Sequence, residues 1–214
     1  MTGERLKARL VRALEPAGAA PAARATRSDF DLNPDAERPE RQLRPAAVLI
    51  LVIAEGEGPR VLMTRRSDSL ASHTGQIAFP GGRLDSGETV VEAALREAQE
   101  EVALSPEGVE VLGVGDPYET GTGFLVTPVV AWTEQAPETT PSPDEVAEVF
   151  EVPWAFLMDA ANHRQDHHEL EGQPRRYFWA MPYGERYIWG VTAGILRALH
   201  DRLDARAAED EAAA

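Results

Sequence analysis

Nine consecutive apolar residues, Ala46 to Ala54 (AAVLILVIA), set the first limit on the fold. The run is about half of what a membrane-spanning helix requires. It is rich in Val, Ile and Leu and reads as a buried strand. A chain of 214 residues can bury a sizeable core as one domain, with or without a loose tail. The sequence holds no cysteine, which excludes disulfides, thiolate metal sites and cysteine nucleophiles and fits a cytoplasmic protein. The formal net charge of −15 opposes broad attraction to nucleic acid. An acidic body that handles an anionic substrate needs a divalent cation or local arginines.

Residues 4–14 (ERLKARLVRAL) set Leu6, Leu10 and Leu14 at helical spacing, and Pro16 ends the pattern. The basic residues Arg5, Lys7, Arg9 and Arg12 suit a transit helix, but Glu4 and Glu15 do not, and a surface helix is the better reading. Residues 15–45 are rich in Ala, Pro and charge, as in a linker or a draped segment. The core is expected to start at Pro45, giving an N-terminal extension over 1–44, a domain over 45–204 and a disordered acidic tail over 205–214. Strands are expected at 46–54 and 60–66 as a hairpin, then at 76–79, 109–114, 124–132 and 146–152. A short helix should follow from Pro153, then a hairpin across 174–189 and a helix over about 190–204. Mixed strands with interspersed helices indicate one α/β or α+β domain.

The clearest helix covers 88–102. Val91, Leu95, Ala98 and Val102 form a stripe that can pack on a sheet, while Glu97, Glu100 and Glu101 sit at i, i+3 and i+4 on another face. Three carboxylates so close repel unless a cation lies among them, and Mg²⁺ accepts carboxylate oxygens and substrate phosphates. Just before the helix, Phe79-Pro80-Gly81-Gly82 looks like a strand end entering a turn where backbone comes close to something.

The stretch Gly82-x5-Glu88-x7-Arg96-Glu97-Ala98-x-Glu100-Glu101-x-Ala103-Leu104 resembles the Nudix hydrolase signature, G-x5-E-x7-R-E-U-x-E-E-x-G-U. Every charged position matches; Ala98 is small for its apolar slot and Ala103 replaces the final glycine. The resemblance implies a Nudix-type α/β/α sandwich with a mixed central sheet and a loop–helix–loop motif. It implies Glu97, Glu100 and Glu101 as ligands of Mg²⁺ or Mn²⁺, and Arg96 orienting Glu88 or another carboxylate. Gly81 and Gly82 would let loop and metal site pack closely. One to three such ions position water in line with phosphorus and neutralise charge on the phosphoryl oxygens. One of these glutamates, or a distant one such as Glu145, would serve as general base.

A second segment, Leu62-Met63-Thr64-Arg65-Arg66-Ser67-x3-Ala71-x3-Gly75-x3-Phe79-Pro80-Gly81-Gly82, is similar to the motif of the coenzyme A pyrophosphatase branch, although Ala71 replaces an arginine. That resemblance, spanning about residues 28–204, implies hydrolysis of coenzyme A to 3′,5′-ADP and 4′-phosphopantetheine. Arg65 and Arg66, with Ser67 beside them, are the candidates for holding the 3′-phosphate. Phe124, Tyr118 or Tyr183 could stack on adenine, and His73 lies in the motif segment. His163, His167 and His168 have a zinc-like spacing in a polar stretch that does not support it. ADP-ribose, NADH and sugar nucleotides stay open as substrates, and pairing with a second copy of the chain is left open. Isomerase chemistry, which in its usual form needs a cysteine, and a non-catalytic sensor, which tends to lose the glutamates, fit less well.

Overall fold

In the computed structural model, residues 3–18, 24–67, 75–169 and 174–213 are described. In chain order these form α1 (Gly3–Ala13), β1 (Arg27–Ser28), β2 (Arg44–Ile53), β3 (Arg60–Arg66), β4 (Ile77–Ala78), β5 (Gly81–Arg83), α2 (Val90–Val102), β6 (Glu110–Val114), β7 (Tyr118–Glu119) and β8 (Phe124–Thr133). They continue with β9 (Val146–Pro153), α3 (Trp154–Leu157), a 3-10 turn (Ala160–Asn162), β10 (Arg164–His168), β11 (Arg176–Tyr183), β12 (Arg186–Trp189) and α4 (Val191–Ala213).

The apolar run is the spine. β2 pairs in parallel with β8 from Arg44–Phe124 to Ile53–Thr133, and antiparallel with β5 and β3 at its two ends. The mixed sheet runs β1-β7-β8-β2-β3-β4, with β5 on β2, β6 on β8 and β9 on β3. Successive β2 residues face opposite sides. Leu49, Leu51 and Ile53 pack with Ala93, Ala94, Ala98 and Val102 of α2, whereas Ile50 and Val52 join the core containing Leu6, Leu10, Leu196 and Leu199 of α1 and α4. Helices therefore cover both faces, in keeping with an α/β/α sandwich. A smaller sheet, β10-β11-β12, adds Met181 and Ile188 to the α4-side core.

Three sequence expectations change here. The core does not begin at Pro45, because Leu6, Leu10 and Ala13 are fully buried. The leucine stripe of α1 has an apolar partner in α4 and so cannot remain a plain surface helix. Residues 24–44 are not a loose linker: β1 pairs with β7, and Arg38 forms an ion pair with the buried Glu119. The tail expected over 205–214 is helical through Ala213. Its alanines favour helix, and Arg206 adds an i,i+3 bond to Glu209 at 2.7 Å.

Candidate active site

The chain folds α2 tightly at both ends. Thr89 caps it, its side chain accepting the Glu92 N–H while the Glu92 carboxylate accepts the Thr89 N–H. The helix stops at Ala103, the one non-glycine among the described residues with positive φ (55°, ψ 29°). There the Leu104 N–H reaches back to the Ala98 carbonyl at 3.3 Å. An L-residue in that conformation carries strain of about 1–2 kcal/mol, which glycine avoids. The buried face also differs from the expected stripe. Val90, Ala93, Ala94, Ala98, Glu101 and Val102 are buried, while Val91 and Leu95 are only half-buried at the margin.

That rotation carries Glu101 inward. Its side chain is 5% exposed, against 57% for Glu100 and 16% for Glu97. The small Ala98, a departure from the motif, lies in the same buried surface. Glu101 accepts the Gly81 N–H at 3.3 Å and has the Arg66 guanidinium at 4.0 Å. These contacts do not offset its burial, which pushes the carboxyl up to about 7, against the pull of Gly81 and Arg66 and with some help from Glu97 and Glu145. Burial raises Glu97 as well, with Arg96 opposing it.

Phe79-Pro80-Gly81-Gly82 does not end in a turn as expected. Gly81 and Gly82 lie in β5, opposite Val48 and Ala47 of β2. The close approach is nevertheless real. A Cβ on Gly82 would overlap the Glu97 carboxylate, and one on Gly81 would lie 2.6 Å from the Val48 Cα. Only glycine lets this strand lie between β2 and the acidic face of α2.

Arg96 holds the outer carboxylates. Its Nε and Nη2 donate to the two oxygens of Glu88 at 2.8 and 3.0 Å, and Nη1 donates to Glu97 at 3.0 Å and Glu100 at 3.1 Å. Nη2 also caps the Arg83 carbonyl at 3.0 Å, tying helix to loop. The guanidinium bond, followed by the Asp85 N–H, holds the Glu88 carboxyl below its ordinary range. With Glu97 and Glu100 turned to Arg96, no three His, Asp or Glu side chains among the described residues converge into a ready cation cage. The donor set nonetheless fits a hard divalent ion. It offers carboxylate oxygens, among them those of the buried Glu101 and the half-buried Glu97, both raised by desolvation, beside a strand whose Gly81 leaves no room for a side chain.

The other candidates divide. Glu145 is exposed but close enough to raise both Glu97 and Glu101, and its carbonyl accepts the Ser67 N–H at 2.8 Å. Arg65 and Arg66 do not stand together as the expected pair for one phosphate. β3 shifts register against β9 between them, and Arg65 lies 3.5 Å from Glu148 whereas Arg66 faces Glu101 on the α2 side. The shift is a local irregularity of the kind that re-aims side chains near active sites. The Arg66 Nε is buried without a hydrogen-bond partner. Ala71 and His73 lie outside the described residues.

Tyr118 is buried and donates its hydroxyl to Asp29 at 2.9 Å. Phe124 carries the Arg44 guanidinium over its ring at 3.9 Å, and Tyr183 packs on Phe156 at 4.8 Å. His163 is buried, its Nε2 2.7 Å from the Leu157 carbonyl, while His167 and His168 are exposed neighbours on β10, so the three form no cluster.

The domain model described as NUDIX domain matches residues 43–173, well over half of the chain. The chain belongs to the Nudix family. It is 44% identical over 176 residues to an uncharacterized Nudix hydrolase NudL of Klebsiella pneumoniae, covering 82% of this chain and 91% of that protein. The Pectobacterium atrosepticum NudL is 43% identical over 178 residues, covering 81% and 90%. Among solved structures, a MutT/nudix family protein from Enterococcus faecalis is 18% identical with a TM-score of 0.49, covering 95% of this chain and 75% of that one. As a Nudix hydrolase the chain is a pyrophosphohydrolase acting on nucleoside diphosphate derivatives. Among the described residues, no helix is long and apolar enough to cross a membrane.

Proposed function

We propose that this Nudix hydrolase cleaves the diphosphate linkage of coenzyme A or its derivatives, giving 3′,5′-ADP and 4′-phosphopantetheine, in the cytoplasm. The observation that carries the metal-dependent core of this reading is Glu101. It is a carboxylate buried to 4% exposure, with Glu97 beside it and the Arg66 guanidinium no nearer than 4.0 Å. Glu97, Glu100 and Glu101 would hold Mg²⁺ or Mn²⁺, which when bound neutralises phosphoryl charge and orients the attacking water. The protein supplies the rest. Gly81 and Gly82 keep the floor of the site free of side chains. Arg96 fixes the helix against the loop and keeps Glu88 ionised, and Arg66 offers an unpaired N–H beside Glu101. Glu145, exposed at the rim, or one of the helix glutamates takes the proton from water.

The coenzyme A assignment is supported by Thr64, Arg66, Ser67, Gly75 and the FPGG segment at their motif positions. The test is a panel of coenzyme A, dephospho-coenzyme A, ADP-ribose, NADH and a sugar nucleotide, each with Mg²⁺ and Mn²⁺, with both products identified by mass. Cleavage of coenzyme A to the two named products is expected. Turnover of ADP-ribose or NADH with coenzyme A left intact would overturn the branch assignment and leave the diphosphatase core standing.

A further inference from the structure

α4 covers the face of the main sheet opposite α2, and a polar cluster is set into its packing there. His163, which ends the 3-10 turn and leads into β10, is 8% exposed. Its Nε2 lies 2.7 Å from the Leu157 carbonyl. A carbonyl oxygen can only accept, so Nε2 carries the hydrogen and, in the neutral ring, Nδ1 is a bare acceptor. That Nδ1 is buried and has no hydrogen-bond partner among the described residues. The ring meets His200 of α4 edge-on, with centroids 5.2 Å apart.

The charges around this pair are committed to one another. His200 stands 3.4 Å from both Asp201 and Asp204. Asp201 also binds Arg197 of its own helix at 2.9 Å and Arg27 of β1 at 3.0 Å, and Asp204 holds Arg9 of α1 at 3.2 Å. In the turn itself Asp159 caps the Ala161 N–H; Asp159 and Arg164 are exposed, as are His167 and His168 farther along β10. None of these groups hydrogen-bonds to Nδ1. A proton placed there would be a buried donor, and a charge, without an acceptor. Burial accordingly holds the His163 imidazole below its ordinary range. His200 and Arg197 act in the same direction, and the Leu157 carbonyl and Asp201 oppose them.

The ring joins three elements at one point. Leu157 closes α3, His163 closes the 3-10 turn, and Arg164 begins β10 opposite Ala180 of β11. The bond to Leu157 and the contact with His200 thus tie α3, the small sheet and α4 together. We propose that His163 is a proton-operated latch: neutral, it fastens the turn between α3 and β10 to α4, and protonated, it lets that turn open. The helix so fastened also carries Thr192, whose hydroxyl donates to the Ile77 carbonyl of β4 at 3.0 Å, so it braces a strand paired with Arg65.

The folded state holds this proton less tightly than the unfolded chain. The latch is therefore fully closed above the ordinary value of 6.5 and weakens as pH falls below it. Hydrogen exchange on the full chain in EDTA tests this. In wild type the Asn162 and His163 amides, which bond to the Asp159 and Ala160 carbonyls, should lose protection from pH 7 to pH 5 by up to about tenfold per unit, while amides of β2 hold. In His163→Gln, whose amide can still donate to Leu157 but takes up no proton, that protection should not depend on pH. Comparing the two proteins at each pH removes the opposite contribution of Glu101. NMR of the His163 ring, assigned through its own backbone, should show the Nε2–H tautomer and a titration midpoint below 6.5. A midpoint at or above that value overturns the latch, as does wild-type protection as flat as that of the variant. Should the Gln variant not fold, the wild-type ring titration and protection profile decide by themselves.

Discussion

Arg96 grips Glu88 through two parallel hydrogen bonds of 2.8 and 3.0 Å, joining residues eight positions apart across the junction of loop and helix. The same guanidinium spends its remaining donors on Glu97, Glu100 and the Arg83 carbonyl. One cation thus organises three carboxylates in a site that must also admit a metal.

Arg96→Lys should therefore behave as a severe change. Lysine keeps the charge but loses the planar fork that serves Glu88 and Glu97 together. Loss of charge-assisted bonds at this partly exposed site should cost about 1–3 kcal/mol. Urea unfolding in EDTA would read the loss of stability, and calorimetric titration the loss of Mg²⁺ affinity. A variant matching wild type in both would contradict the organising role.

Glu101→Gln should uncouple stability from catalysis. Burial raises the Glu101 carboxyl from its ordinary 4.5 to about 7, so the folded state binds this proton more tightly than the unfolded state. Its contribution is fully present below about pH 4.5 and is lost as pH rises through about 7, on the order of 3 kcal/mol in all. In EDTA the Gln variant should therefore gain stability relative to wild type between those limits, because the amide stays neutral. Mg²⁺ should raise the wild-type Tm more at pH 8 than at pH 5 and leave the variant nearly unmoved. Turnover should fall by roughly two orders of magnitude or more. Near wild-type kcat in purified Glu101→Gln would sink the metal assignment.

Ala103→Gly should stabilise the protein. At φ 55° the methyl group is strained, and glycine relieves this at some cost in unfolded-state entropy. A net gain of about 0.5–1 kcal/mol corresponds to a rise in Tm of roughly 1–4 °C for a chain of this size. A lower Tm would mean that the helix end adjusts around alanine at no cost.

Arg65→Ala and Arg66→Ala should differ in kind. Arg66 lies 4.0 Å from Glu101, so its loss should lower kcat for every diphosphate cleaved. Arg65 stands with Glu148 on the opposite face, so its loss should affect at most the preference for coenzyme A over its 3′-dephospho form. A preference resting on one charge-assisted contact amounts to roughly 10- to 150-fold in kcat/KM. If the two variants lose kcat equally across the substrate panel, the division of roles is wrong.

The motif, and with it the acidic face of α2, was legible in the sequence because helical spacing is local. Residues at i, i+3 and i+4 share a side whatever surrounds them, so Glu97, Glu100 and Glu101 lie on one side of the helix by covalent geometry alone. The buried strand at Ala46–Ala54 was legible for a related reason, since that run can be satisfied only inside a core. Which glutamate is buried was not legible. Glu101 goes inward because α2 packs through Ala93, Ala94 and Ala98, and that rotation depends on β2 and β5 beneath it. The placing of Arg65 and Arg66 likewise depends on a register shift against β9, some 80 residues downstream. The segment from Arg27 to Arg41 carries no periodicity at all; its place is set by Tyr118, Glu119 and Gly121, residues far along the chain. Short-range spacing determined what chemistry this protein carries, while long-range packing decided which carboxylate is desolvated and which residues wall the space beside it.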